Sequence, residues 1–326
     1  MSTLLRFSTL LSLASAGLAA ADLRIGMIGL DTSHVVVFAR AFNDPKSADY
    51  TPGGRITAVF KGGSADIETS ASRVDGYTKQ LTETYGAKVY DSIEELAKNV
   101  DAIMIESVDG RPHLDQFRRT LAAKKPVFID KPLAGSLRDG LEIVRLAKAN
   151  GVPLFSSSSL RYGPDPLAPK LAKIGALKSV YSVGPATYDK THPDLFWYGI
   201  HAVEALYTVM GPGCVSVVRT KTADTDVVTG VWADGRVGTM QGNRNGFAGY
   251  GLTIIGAKGV AVAGEKHSYR GLIQEVMKFF QTGVSPVPLD TTIEILAFME
   301  AADESKRRGG APVSIADVMK LAEAKK

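Results

Sequence analysis

The segment Leu23–Arg40, LRIGMIGLDTSHVVVFAR, constrains the fold more than any other part of the chain. An apolar run ends in a glycine, a short polar turn follows, and a helically periodic stretch begins. Strand, tight turn and helix in that order open a parallel α/β sheet, and such turns carry the fingerprint G-x-G-x-x-G. Only its first glycine is present. Gly29 fills that position, Asp31 stands at the second and His34 at the third. The second glycine lets the backbone approach a pyrophosphate, and the third lets the helix pack on the strand. Asp31 therefore brings a carboxylate to where two phosphates come closest, unless its side chain turns away.

Strand and helix signals alternate downstream. Strands are expected at 55–60, 87–90, 101–106, 126–129 and 152–156. Helices are expected at 34–42, 77–85 and 114–123, after the capping box Ser92-Ile93-Glu94-Glu95, and from Ser136 to Asn150 with Gly151 as its stop. Strict alternation predicts an α/β fold, a Rossmann-type doubly wound parallel sheet. Past about residue 160 the pattern changes. One long apolar helix is expected over Asp194–Met210, and strands at 178–187, 215–222, 226–232, 236–241 and 250–262. Helices over 269–282 and 291–308 close the chain. This predicts a domain over 22–160 and an α+β domain over 161–326 with a large, mainly antiparallel sheet.

Residues 1–21 read as a secretory signal peptide. Arg6 supplies the charge, Leu10–Leu18 the apolar stretch, and Ala19-Ala20-Ala21 the cleavage site before Asp22. No twin-arginine pair is present, so the chain is expected to cross a membrane unfolded into a periplasmic or extracellular space. Nicotinamide dinucleotides are expected to be scarce there. The net charge of +4 is spread along the chain without interleaved aromatics, which gives a nucleic-acid role no support. No later apolar run is long enough for a membrane span. Cys214 is the only cysteine, so no intrachain disulfide can form.

Open parallel sheets bind ligands outside the carboxyl ends of their strands. Those ends carry Asp31, Thr32, Ser33 and His34, then Lys61, then Glu106 and Ser107, then Asp130-Lys131-Pro132, then Ser157 to Arg161. Asp31, His34, Glu106 and His113 offer oxygen and nitrogen ligands to a divalent metal.

VFIDKPLA resembles the E-K-P segment of the Gfo/Idh/MocA oxidoreductases. DAIMIESVDGRPH, SSSLRYGPD, GIHAVEALYTVMG, IIGAKGVAVAG and AADESKRRGGAPVSI resemble further family segments in the same order. The resemblance implies a nucleotide-binding domain plus a sheet domain, and hydride transfer between NAD or NADP and a carbohydrate or polyol. It makes Lys131 the catalytic lysine and His201 the acid/base residue. Cofactor contacts then fall to Gly29, Asp31, Thr32, Ser33, His34, Lys61 and Ser107, and substrate contacts to Arg161, Trp197 and Tyr198. Three departures stand out. The glycine turn is altered. Lys61 replaces the acidic residue that would hold a ribose. Trp197 replaces an aspartate expected one helical turn before His201. Two alternatives to an exported oxidoreductase with an atypically bound cofactor therefore stay open. One is a cofactor-free or metal-assisted carbohydrate lyase using His201, Tyr198, Lys131 and Arg161. The other is a non-catalytic sugar-binding protein. An open sheet in the second domain favours homo-oligomers that cover it.

Overall fold

The computed structural model describes residues 21–163 and 167–324, so residues 1–20 of the expected signal peptide lie outside the described residues. The first sheet contains β1 (Leu23–Ile28), β2 (Gly54–Phe60), β3 (Lys88–Val89), β4 (Ala102–Ile105), β5 (Val127–Asp130) and β6 (Leu154–Ser157). All pair in parallel, in the order β3-β2-β1-β4-β5-β6. Helices α1 (His34–Asn43), α2 (Glu68–Ala71), α3 (Val74–Tyr85), α4 (Ile93–Lys98), α5 (His113–Thr120) and α6 (Leu137–Asn150) connect them. Ser92 and Ser136 cap α4 and α6 through their side chains, as their sequences require.

The second sheet contains β7 (Leu177–Pro185), β8 (Cys214–Lys221), β9 (Thr225–Trp232), β10 (Val237–Asn243), β11 (Gly251–Gly256), β12 (Gly259–Ala263) and β13 (Val313–Ser314), in the order β12-β11-β7-β10-β9-β8-β13. It is mainly antiparallel, but β10 runs parallel to β7. A parallel pair needs a crossover, and the helices after β7 supply it. Around the sheets lie α7 (Leu167–Ile174), α8 (Asp194–Trp197), α9 (Ile200–Met210), α10 (Arg270–Thr282), α11 (Leu289–Arg307) and α12 (Ile315–Ala324). Among the described residues, no helix is long and apolar enough to cross a membrane.

The expected single helix over 194–210 is broken at Tyr198-Gly199 into α8 and α9. Leu195 folds back onto Gly199 so closely that a Cβ there would lie 2.9 Å from the leucine side chain. Trp197 and His201 therefore do not share one helical face. Helix α10 belongs to the second half of the chain but packs on the first sheet. Its Leu272, Ile273, Val276, Met277 and Phe279 are buried with Phe38 and Phe42 of α1 and Phe155 of β6.

Candidate functional site

Strands β1, β4 and β5 end side by side, and their terminal residues meet below helix α9. Gly29 turns the chain after β1 with φ +87, and a Cβ there would lie 2.2 Å from the Ser107 hydroxyl. This glycine is required because the segment after β4 presses on the turn. His34 opens α1 and its Nδ1 lies 2.7 Å from Asp130 Oδ2 at the end of β5. Its Nε2 lies 2.9 Å from the Tyr269 hydroxyl, which arrives from just before α10. Glu106 follows β4 fully buried, and neither of its carboxylate oxygens has a hydrogen-bond partner among the described residues. Asp130 Oδ1 is likewise buried and unpartnered. Lys131 follows Asp130, 7% exposed, and its peptide with Pro132 is cis. From the second half, His201 on α9 places Nδ1 2.9 Å from the Ser158 hydroxyl, and Ser159 holds His267 at 2.7 Å.

The electrostatics follow from burial. Glu106 is pushed well above the usual carboxylate range by desolvation and then by Asp130. Burial also disfavours ionised Asp130, but His34 and Lys131 outweigh it and hold its carboxyl down. Burial, with Lys131 second, pushes the His201 imidazole well below its ordinary value, so it stays neutral. Burial lowers His113 and His267 as well.

Asp31 does not face this cleft. Its Oδ1 accepts from the Val108 amide at 2.9 Å and its Oδ2 from the Ser70 hydroxyl at 2.6 Å. Burial pushes its pKa up. Two further links run beside it. The Ser64 hydroxyl donates to Asp109 Oδ2 at 2.5 Å, and Arg111 forks onto both oxygens of Asp66 at 2.9 Å. Asp109 also lies 3.0 Å from His192 Nε2, and its pKa is lowered by Arg111 and His192 despite burial. These contacts tie the segment after β2 to the segment after β4. In the sheet β1 lies between those strands, so the ties cross its end.

A dinucleotide in a sheet of this order lays its pyrophosphate on the β1 turn at the start of α1. Here Leu30 and Asp31 are fully buried and Thr32 is 5% exposed, under the protein's own loops. The Asp31 carboxylate occupies the Val108 amide. The residues present do not fit a dinucleotide held in that manner.

The other sequence candidates are placed as follows. Lys61 is solvent-exposed and paired with Asp75 at 2.9 Å. Ser107 is buried against Gly29, and its hydroxyl accepts from Gln116. Ser33 is exposed and makes no side-chain cap to α1. Thr32 Oγ1 lies 3.5 Å from the His34 amide. Arg161 Nε donates to Glu204 at 2.6 Å, so its charge is answered within the protein. Trp197 packs on His192, ring centroids 4.9 Å apart, and Tyr198 lies 5.3 Å from the His201 ring.

The four-residue metal set expected from the sequence is not brought together. Asp31 is spent on Val108 and Ser70. His113 is buried with Nδ1 3.0 Å from the Pro132 carbonyl and Nε2 3.0 Å from the Ser107 carbonyl, bracing two loops. His34 and Glu106 do meet, and Asp130 joins them. Sequence reasoning missed Asp130 as the partner of His34, although the DKP motif marked the position. Tyr269, His267 and His192 carried no motif, and Ser158 and Asp109 lay in segments already marked but were not singled out.

A family model described as an oxidoreductase family with an NAD-binding Rossmann fold, Gfo/Idh/MocA, matches residues 23–158. The uncharacterized protein YMR315W of Saccharomyces cerevisiae is 25% identical over 175 residues, 52% of this chain. The match covers only 44% of that relative, so the chain spans less than half its length. GenD2 from gentamicin A biosynthesis, solved in complex with NAD, has the same fold. It is 17% identical with a TM-score of 0.71, over 96% of this chain and 99% of that one. A probable dehydrogenase from Thermotoga maritima is 21% identical with a TM-score of 0.70, over 91% of this chain and 100% of its own. Myo-inositol 2-dehydrogenase from Lactobacillus plantarum is 18% identical with a TM-score of 0.71, over 90% and 99%. Residues 23–158 thus match the Gfo/Idh/MocA oxidoreductase family, and the chain as a whole shares the fold of these solved structures.

Proposed function

We propose that the protein acts on a carbohydrate or polyol derivative by proton transfer, as a lyase, with Lys131 and His201 as the acting groups and no resident dinucleotide. One observation carries this reading: the loops after β2 and β4 are tied together across the end of β1, while Lys131, 7% exposed, stays close enough to His201 to hold its imidazole down. With a hydrogen on Nδ1 donated to Ser158, His201 keeps Nε2 as a proton acceptor. On a substrate with a carbonyl, His201 takes the proton from the neighbouring carbon. The electron pair of that C–H bond becomes the new C=C bond. The C–O bond at the next carbon breaks, its pair leaves with oxygen, and the Lys131 ammonium protonates that oxygen. Arg161 answers Glu204 through Nε, and its buried Nη2, without a partner among the described residues, is left for a substrate oxygen. Tyr198, 38% exposed beside His201, offers the stacking surface.

A second reading, hydride transfer with NAD or NADP, is favoured by the family match and by Lys131 and His201 standing at the family's motif positions. Thermal-shift titration with NAD+, NADH, NADP+ and NADPH separates the two. A saturable shift at micromolar ligand overturns the lyase reading in favour of hydride transfer. No shift, with a new conjugated-alkene absorbance from 3-keto sugars that Lys131→Ala and His201→Gln abolish, supports it.

The division near residue 160 and export directed by residues 1–21 belong to the same proposal. So does pairing of copies through the second sheet. On its outer face Val260, Ile255, Val237 and Val231 lie in one cross-strand row and are exposed. Sedimentation velocity that finds only monomer removes that last part.

A further inference from the structure

We infer that His34, Glu106 and Asp130 form a binding site for a divalent transition cation such as Mn2+ or Zn2+. Their ligand atoms lie within 4.8 Å of one another, and all three residues are buried. They come from the starts and ends of rigid elements: α1, β4 and β5. Three oxygens here have no donor among the described residues, namely both of Glu106 and Oδ1 of Asp130. A buried carboxylate without a partner is costly, and buried polar groups in folded proteins are almost always satisfied. A divalent cation satisfies all three at once, where a single proton satisfies one.

The donor set argues for the class of ion. Two carboxylates with one imidazole suit Mn2+ or Zn2+ better than Ca2+, which takes six or more oxygens, or a thiolate-seeking ion. Metal-bound histidines generally engage their other ring nitrogen with a fixed partner that sets the ring's orientation. Tyr269 stands in that place, 2.9 Å from His34 Nε2. The proton that His34 Nδ1 now shares with Asp130 at 2.7 Å is the one a metal would displace. Three protein ligands leave at least one coordination position for water or a substrate oxygen. The site is independent of the lyase reading, because ion binding is measured without substrate.

The full chain is stripped with EDTA, dialysed, and titrated calorimetrically with MnCl2 and with ZnCl2 alone. One ion per chain is expected. Glu106→Gln keeps the shape of the site, and should weaken binding by more than the roughly 10–100-fold that outer partners carry; Tyr269→Phe should fall within that range. Electron spin-echo modulation of the Mn2+ form should show a directly bound nitrogen that His34→Gln removes. Saturable binding lost in Glu106→Gln supports the site, as does the nitrogen signal should that variant fail to fold. The absence of saturable binding by either ion, unchanged affinity in folded Glu106→Gln, or Mn2+ without bound nitrogen overturns it.

Discussion

Two buried charge clusters, one in each half, are built on opposite plans. In the second half the Arg219 guanidinium is fully buried and every arm is taken. It reaches Asp194 at 2.7 Å and Asp226 at 2.8 Å, and it also pairs with Asp303. Arg244 answers the far side of Asp226, and the Tyr188 hydroxyl closes the group. In the cleft, His34 and Asp130 pair, but Glu106 is left with nothing. Both clusters are equally dry. A cluster in which each charge has its answer serves the fold. One with buried oxygens left over has to be held in place by the fold around it, and such places are where ligands and chemistry belong.

That contrast can be broken from either side. The largest effect is expected at the satisfied cluster: Arg219→Met leaves three aspartates around an uncharged chain and should cost about 3–5 kcal/mol in urea denaturation. A loss below about 1 kcal/mol would mean that the aspartates reach water by rearranging. The opposite sign is expected in the cleft. Glu106→Gln removes a carboxyl that folding forces toward its neutral form, so at neutral pH the ion-free protein should gain about 1–3 kcal/mol while losing any activity of the cleft. Destabilisation there would show that the carboxylate is paired in solution.

A pH effect comes next. His113 and His201 are buried and held neutral below their ordinary pKa. As pH falls below about 6.5, the unfolded chain takes up protons at these positions that the folded chain refuses. In Glu106→Gln, which lacks the carboxyl whose raised pKa pulls the other way, stability should therefore fall with falling pH, by up to about 1.4 kcal/mol per pH unit for each histidine. Denaturation midpoints that stay flat between pH 7 and pH 5.5 would contradict this. The smallest effect is at Lys61. An exposed pair with Asp75 contributes little, so Lys61→Ala should stay within about 0.5 kcal/mol. A marked loss of dinucleotide binding in that variant would instead return Lys61 to a cofactor phosphate.

The parallel half was legible because its signals are local. Strand and helix periods alternate, and Ser92, Ser136 and Gly151 punctuate them. Sheet topology then places strand ends together, which is why His34, Glu106 and Lys131 could be singled out in advance. What could not be read depends on meetings between distant segments. The direction of Asp31 is decided by an amide at 108 and a hydroxyl at 70. Tyr269 reaches His34 across 235 positions. The break between α8 and α9 comes from the packing of Leu195 on Gly199, which an unbroken apolar period conceals. Short α7, β13 and α12 carried no signal strong enough to stand apart from their neighbours.

Helix α10 sets an order of events. The sheet that begins at Leu23 has one wall made by residues 270–282, with Phe279 resting 5.6 Å from Phe155. Synthesis delivers that wall almost last. Until then the apolar sides of α1 and β6 face water, while the opposite face of the sheet is already covered by α4, α5 and α6. The first sheet therefore cannot close on that face until residue 282 has been made.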